Sequence, residues 1–113
     1  MSANVFKFNF TGTALMAHSA TVPAGQHWRI ISVSCNFNAA PVSAENFTIT
    51  LDAQAGPVYD VLLYSTDPSA GAISDILWQP DEELMLEPGD QVDVAYDNTD
   101  VRTYGVQITF KAV

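Results

Sequence analysis

The chain has 113 residues, of which 48% are hydrophobic and only 15% are charged, and its formal net charge at neutral pH is −9. This length fits one domain that buries about 65% of the surface exposed by the unfolded chain, and the apolar content excludes intrinsic disorder. A charged fraction below the usual value of about 25% indicates that another protein, or further copies of the chain, cover part of the surface.

Nine segments are strand-like, and the clearest of them alternate apolar and polar residues, which is the pattern of a strand with one buried face. Turns that contain Pro or Gly separate these segments, and none of them has the i, i+3, i+4, i+7 spacing of an amphipathic helix. In chain order, the predicted strands are Asn4–Phe10, Ala14–Thr21, His27–Asn38, Glu45–Ala53, Val58–Ser65, Ala72–Gln79, Glu83–Leu86, Gln91–Asp97 and Arg102–Ala112.

Eight or nine short strands at even spacing predict an all-β fold, either an antiparallel β-sandwich or a closed barrel. Two strands begin after similar corners, Val22-Pro23-Ala24-Gly25 and Glu87-Pro88-Gly89-Asp90. Matching corners favour the two Greek keys of a jelly roll, and chance similarity between Pro-Gly turns is the alternative. We therefore predict one domain over residues 1–113, an antiparallel β-sandwich of jelly-roll type.

The third predicted strand contains Cys35, the only cysteine of the chain. A single cysteine excludes an intrachain disulfide and a cysteine-based zinc site. Strict alternation would place Arg29, Ile31, Val33, Cys35 and Phe37 on one face of the strand. We predict a buried, unreactive thiol.

The closing segments carry a more specific pattern, which is Leu84-x-Leu86-x-x-Gly89-Asp90-x-Val92-x-Val94 followed by Tyr104-Gly105-Val106-x-Ile108-x-Phe110. This pattern resembles the closing strands of the tumour-necrosis-factor/C1q-like jelly roll, whose final strand lies at the core of a trimer. The resemblance is confined to these strands. It implies that Tyr104, Val106 and Phe110 contact sister subunits.

A second resemblance comes from Pro23-Ala24-Gly25-x-x-Trp28-Arg29-Ile30, together with the low charge and the lack of a catalytic signature. In these respects the chain is similar to the small jelly-roll proteins that decorate the heads of tailed bacteriophages. The resemblance implies a homotrimer on the outer surface of the virion that binds the major capsid protein and bridges its subunits. The alternative is a trimeric receptor- or glycan-binding tip of a phage tail or fibre.

The first predicted strand places Phe6, Phe8 and Phe10 on one face. Three aromatic side chains in a row can complete the core, or they can add an edge strand to a neighbouring sheet. We assign residues 1–12 as a strand that contacts a partner, with these three phenylalanines facing the capsid.

Eleven of the thirteen acidic residues lie between Asp60 and Asp100, a span without Lys or Arg. Such a surface repels phosphate, so we expect no nucleic-acid partner. The span is interpreted as a solubilising face, and the alternatives are the outward surface of an assembly or a set of ligands for a cation. Asp97 and Asp100 are the candidate ligands, although Asp also forms turns by bonding the backbone.

No residue pattern in the sequence indicates catalysis. His18 and His27 have no partner at a recognisable metal-ligand spacing, and no Gly-x-Ser-x-Gly motif is present. We expect a non-enzyme without a cofactor. No apolar run is long enough for a signal peptide or a membrane span, which predicts synthesis in the host cytoplasm and no membrane partner.

Overall fold

The computed structural model describes residues 4–113, which form two antiparallel sheets that pack face to face. The strands are β1 (Asn4–Gly12), β2 (Met16–Thr21), β3 (Trp28–Phe37), β4 (Phe47–Asp52), β5 (Val61–Thr66), β6 (Asp75–Trp78), β7 (Met85–Leu86), β8 (Gln91–Tyr96) and β9 (Tyr104–Ala112). Each of the nine predicted segments contains or overlaps one of them. Within these residues no helix is long and apolar enough to cross a membrane.

The strand order is that of a jelly roll. Sheet A has the order β1-β9-β3-β6, with β7 also paired to β3, and sheet B has the order β2-β8-β4-β5. The pairs nest along the chain, because β4 pairs with β5, β3 with β6, β2 with β8 and β1 with β9. A long antiparallel hairpin wrapped into two sheets produces this order, so the predicted sandwich of jelly-roll type is confirmed.

The core lies between the two sheets and is made by the inward face of every long strand. On β8 and β9 the alternation predicted from the sequence is confirmed, since every second side chain is buried. The buried set on these two strands is Val92, Val94, Tyr96, Tyr104, Val106, Ile108 and Phe110.

The predicted face of β3 is wrong in its first half, because the strand contains a β-bulge. The pairing of β3 with β9 skips Ile31, which leaves this side chain 37% exposed. The extra residue exchanges the inward-facing and outward-facing side chains before the bulge, so Trp28 and Ile30 join Val33 in the core. Arg29 instead lies at the surface, where its Nη1 is 2.7 Å from Oε1 of Glu83.

The largest differences in strand starts are at β5 and β6, which each begin three residues later than predicted, and a one-turn 3₁₀ helix precedes both strands. Pro57–Tyr59 and Pro68–Gly71 form these turns, and Pro occupies the first turn of both. Proline fixes φ near the helical value and cannot donate to a sheet, so it favours a turn at these positions.

Candidate functional site

Tyr104, Val106 and Phe110, which were expected to contact sister subunits, are buried inside the single chain. They fill the space between the sheets, which leaves them no surface for a second copy. The pattern that suggested a subunit contact therefore reflects the core of the sandwich. The outward face of β9 consists of the residues that alternate with the buried ones, which are Gly105, Gln107, Thr109 and Lys111.

Phe6, Phe8 and Phe10 line the open side of the sandwich between β1 and β2, and all three are half-buried. The ring centroids of Phe6 and Trp28 are 4.8 Å apart, and Phe10 stacks on His18 at 4.5 Å. These rings complete one margin of the core and still expose part of their surface. Residues 1–3 of the proposed contact segment lie outside the described residues.

The carboxylate of Asp100 is already hydrogen-bonded to other groups of the chain. It accepts hydrogen bonds from Val42 N, Ser43 N and Ser43 Oγ, each at 2.8 Å. The Ser43 bonds and then the Val42 bond hold the pKa of the Asp100 carboxyl below its ordinary value. Asp97, the other candidate ligand, is exposed, and no cluster of three metal-binding side chains occurs within residues 4–113.

Other acidic side chains of the same span also stabilise turns. Asp90 is nearly buried and accepts from Glu87 N at 2.9 Å and from Gln54 N at 3.0 Å. On the outer face of sheet B, Asp93 accepts from Ser19 Oγ at 2.6 Å. The acidic residues for which these bonds are observed thus act as turn and sheet residues, as the turn-forming alternative predicted.

Of the groups that could act as nucleophile or base, Cys35 and His18 are held by contacts within the fold, whereas His27 is exposed. Cys35 is buried, and burial raises the pKa of its thiol to about 12. The thiol is therefore protonated at neutral pH and unreactive, as expected. His18 Nε2 lies 2.7 Å from the hydroxyl of Tyr104, which bridges the two sheets.

An exposed apolar surface lies on the opposite side of the sandwich from β1. Its four residues are between 48% and 87% exposed, and we call it the β5 edge; they are Val58, Tyr59, Val61 and Leu62. β5 is the last strand of sheet B, so its outer backbone is unpaired within the described chain. Beside it, Tyr64 stacks on Trp78 of β6 with centroids 6.4 Å apart.

A groove of about 720 Å³ crosses the outer face of sheet A. The strand pairing brings residues of β1, β9, β3 and β6 into two rows along it, which are Thr11-Gly105-Asn36-Asp75 and Asn9-Gln107-Ser34-Leu77. We call this feature the sheet A groove. Sequence reasoning did not identify this groove, and the one available signal was Gly105, a glycine at the second position of the strongly alternating strand β9.

Comparison with known proteins assigns no family to the chain. No family model and no curated protein matches it. Among solved structures, it is similar to PliG of Aeromonas hydrophila, a periplasmic inhibitor of g-type lysozyme. The alignment has 14% identity and a TM-score of 0.33, and it covers 98% of this chain and 86% of that one. A likeness at this level shows neither family nor function.

Proposed function

We propose that this chain is a structural protein of a phage particle that decorates the outer surface of the head and stabilises the capsid by bridging neighbouring subunits. Its partners on this proposal are the major capsid protein and further copies of the chain in a homotrimer. The acidic side chains of the span Asp60–Asp100 that lie outside the β5 edge then face solvent, away from the packaged DNA.

The observation that carries the proposal is the apolar surface on two opposite sides of one small sandwich. Phe6, Phe8 and Phe10 lie half-buried along β1 at one side, and the β5 edge lies at the other. A bridging protein needs two separate contact surfaces, and both sides end in a strand that can extend a neighbouring sheet.

The size of the protein favours many weak contacts over one strong contact. Each edge offers only a few large side chains, so the area that one edge can bury is smaller than the roughly 1,600 Å² of a standard protein–protein interface. A repeated lattice compensates, because subunits that bind at several points gain affinity through multivalency. Bridging by apolar burial also requires no catalytic group and no cofactor, in agreement with the lack of a catalytic signature in the sequence.

Rebinding to particles that lack the protein tests the proposal directly. Purified wild-type protein should bind such particles and raise their resistance to heat. The double variant Val61→Thr with Leu62→Thr should bind more weakly while folding normally, because exposed substitutions change stability by only about 0.5 kcal/mol.

The matched control is Val42→Thr, which makes the same chemical change at an exposed residue in the connection between β3 and β4. This variant should bind as the wild type does. Failure of the wild-type protein to bind the particles, or equal binding by the Val61/Leu62 variant, would contradict the proposed bridging role of the β5 edge.

A further inference from the structure

The two rows of the sheet A groove carry mostly polar side chains of little charge, whereas most of the exposed surface inside the groove is apolar. Amide and hydroxyl groups dominate both of its rows, and Asp75 is the only ionised side chain among the lining residues. The side chains of Val106, Cys35 and Ile76 point into the core, so the backbone at these positions forms the floor. The groove is thus shallow at its centre and bounded by hydrogen-bonding groups.

Gly105, the second residue of β9, lies in one row of the groove between Thr11 and Asn36, and no contact within the described chain requires a glycine there. Its φ is not in the positive range that favours glycine, and a Cβ atom built there meets no atom within 4 Å. Glycine in a strand lowers stability, since it has no side chain to pack and loses more entropy on folding. A strand glycine that lies in neither a bulge nor a tight bend often marks a place where a ligand or another backbone approaches closely.

The outer face of sheet B provides a contrast within the same protein. There the polar side chains bond to one another, because Gln91 Nε2 donates to Asp93 Oδ1 at 2.6 Å and Thr21 Oγ1 donates to Gln91 Oε1 at 3.0 Å. The equivalent interior strand of sheet B carries Ala95 on its exposed face. Both faces thus contain hydrogen-bonded polar pairs, such as Asn36 with Asp75 on sheet A, and the difference between them is that sheet B carries Ala95 where sheet A carries Gly105.

The chemistry of the lining selects the kind of ligand. No Lys or Arg lines the groove, and the chain has a net charge of −9, so phosphates and other polyanions are disfavoured. Leu77 and the partly exposed Phe10 are the large apolar side chains at the surface of the groove, whereas protein interfaces place several aromatic and apolar residues at their centre. The volume falls within the range of about 300–1,000 Å³ that is usual for small-molecule sites.

We propose that the sheet A groove binds a neutral carbohydrate chain, with one sugar ring over Gly105 and its hydroxyl groups bonded to the amide and carboxylate groups of the two rows. A sugar hydroxyl is both a donor and an acceptor, and the hydrogen-bonded pair of Asn36 and Asp75 presents both functions side by side. This site is separate from the β5 edge and does not depend on the capsid-bridging proposal.

The test compares Gly105→Val with Ala95→Val, which introduces the same side chain on the exposed face of the corresponding strand of sheet B. Binding is measured by saturation-transfer NMR and titration calorimetry with neutral hexasaccharides of glucose, N-acetylglucosamine, mannose and galactose. Heparin serves as the charged comparison. Thermal unfolding is recorded for each variant.

We expect the wild type and Ala95→Val to bind at least one neutral hexasaccharide and not heparin. Gly105→Val should bind it at least about tenfold more weakly, a loss that the dissociation constant reports directly. Its melting temperature should equal or exceed that of the wild type, because a Cβ atom at this position meets nothing within 4 Å and valine favours a strand.

Two results would overturn the proposal. The first is the absence of binding to every neutral hexasaccharide at millimolar concentration, and the second is equal binding by the wild type and Gly105→Val. If Gly105→Val instead abolishes rebinding to particles while no sugar binds, the groove is a protein contact and the carbohydrate assignment is wrong.

Discussion

Replacing Asn98 with alanine is expected to destabilise the protein more than any other single change in the loop that joins β8 to β9. Asn98 is 4% exposed and has a φ of 55°. Its Nδ2 lies 3.1 Å from Thr13 O, 3.0 Å from Ala14 O and 3.0 Å from Arg102 O, and its Oδ1 accepts from Arg102 N at 2.9 Å. One side chain thus ties this loop to the turn between β1 and β2.

The magnitude follows from two contributions. Alanine leaves buried backbone groups without partners, which costs about 1–3 kcal/mol. Alanine also lacks the local hydrogen bonds that favour asparagine at positive φ, and the resulting backbone strain adds about 1 kcal/mol to the loss of stability. The expected total of about 2–4 kcal/mol is a large part of the roughly 5–15 kcal/mol that stabilises a domain of this kind.

Urea unfolding, followed by the fluorescence of Trp28 and Trp78, measures this loss. Asn98→Gly should be less damaging than Asn98→Ala by roughly 1 kcal/mol, because glycine adopts positive φ without strain. Asn38→Ala is the matched control, since Asn38 is exposed and its side chain accepts one bond, from Thr103 N at 3.0 Å. A loss below about 0.5 kcal/mol for Asn98→Ala, or an equal loss for Asn38→Ala, would refute the reasoning.

Three further outcomes are expected. The folded protein holds the pKa of Asp100 below its ordinary value of 3.8, so the ionised carboxylate stabilises the fold above that pH. This stabilisation is lost as the pH falls through the lower pKa of the folded state. In urea unfolding across this acidic range, the free energy of unfolding should therefore fall less steeply for Asp100→Asn than for the wild type. Cys35, with a pKa of about 12, should react with a disulfide reagent at neutral pH only after unfolding in urea, and rapid reaction of the native protein would contradict its burial. Tyr96 has a buried hydroxyl without a partner within residues 4–113, so Tyr96→Phe should leave the free energy of unfolding unchanged or raise it by about 1 kcal/mol, whereas a clear loss would reveal a bond to water.

The strands could be predicted from the sequence because period-2 alternation is a local property. Val92, Val94 and Tyr96 mark β8 without knowledge of any other part of the chain. The bulge at Ile31 could not be predicted, because an inserted residue changes which neighbours face inward but leaves the composition of the strand apolar. The 3₁₀ turn at Pro57–Tyr59 was missed for a similar reason, since Val58 and Tyr59 also suit a strand.

The surfaces were harder to predict than the strands. An apolar face on β9 fits the core of one chain as well as a contact between chains, and the structure shows that Phe110 is buried within one chain. The sheet A groove depends on pairing between distant segments, because Thr11 and Gly105 become neighbours only when β1 joins β9. Alternation does not specify such pairing, so the groove appears only in the folded protein.

The number of copies of this chain in a purified particle tests the capsid-bridging proposal most directly. On this proposal, quantitative mass spectrometry of the particle gives the number of copies of the chain relative to the major capsid protein. The proposal predicts hundreds of copies per particle, in a fixed ratio to the major capsid protein. A dozen copies or fewer would place the chain in a neck, tail or fibre, and its absence from the particle would contradict a structural role in the virion altogether.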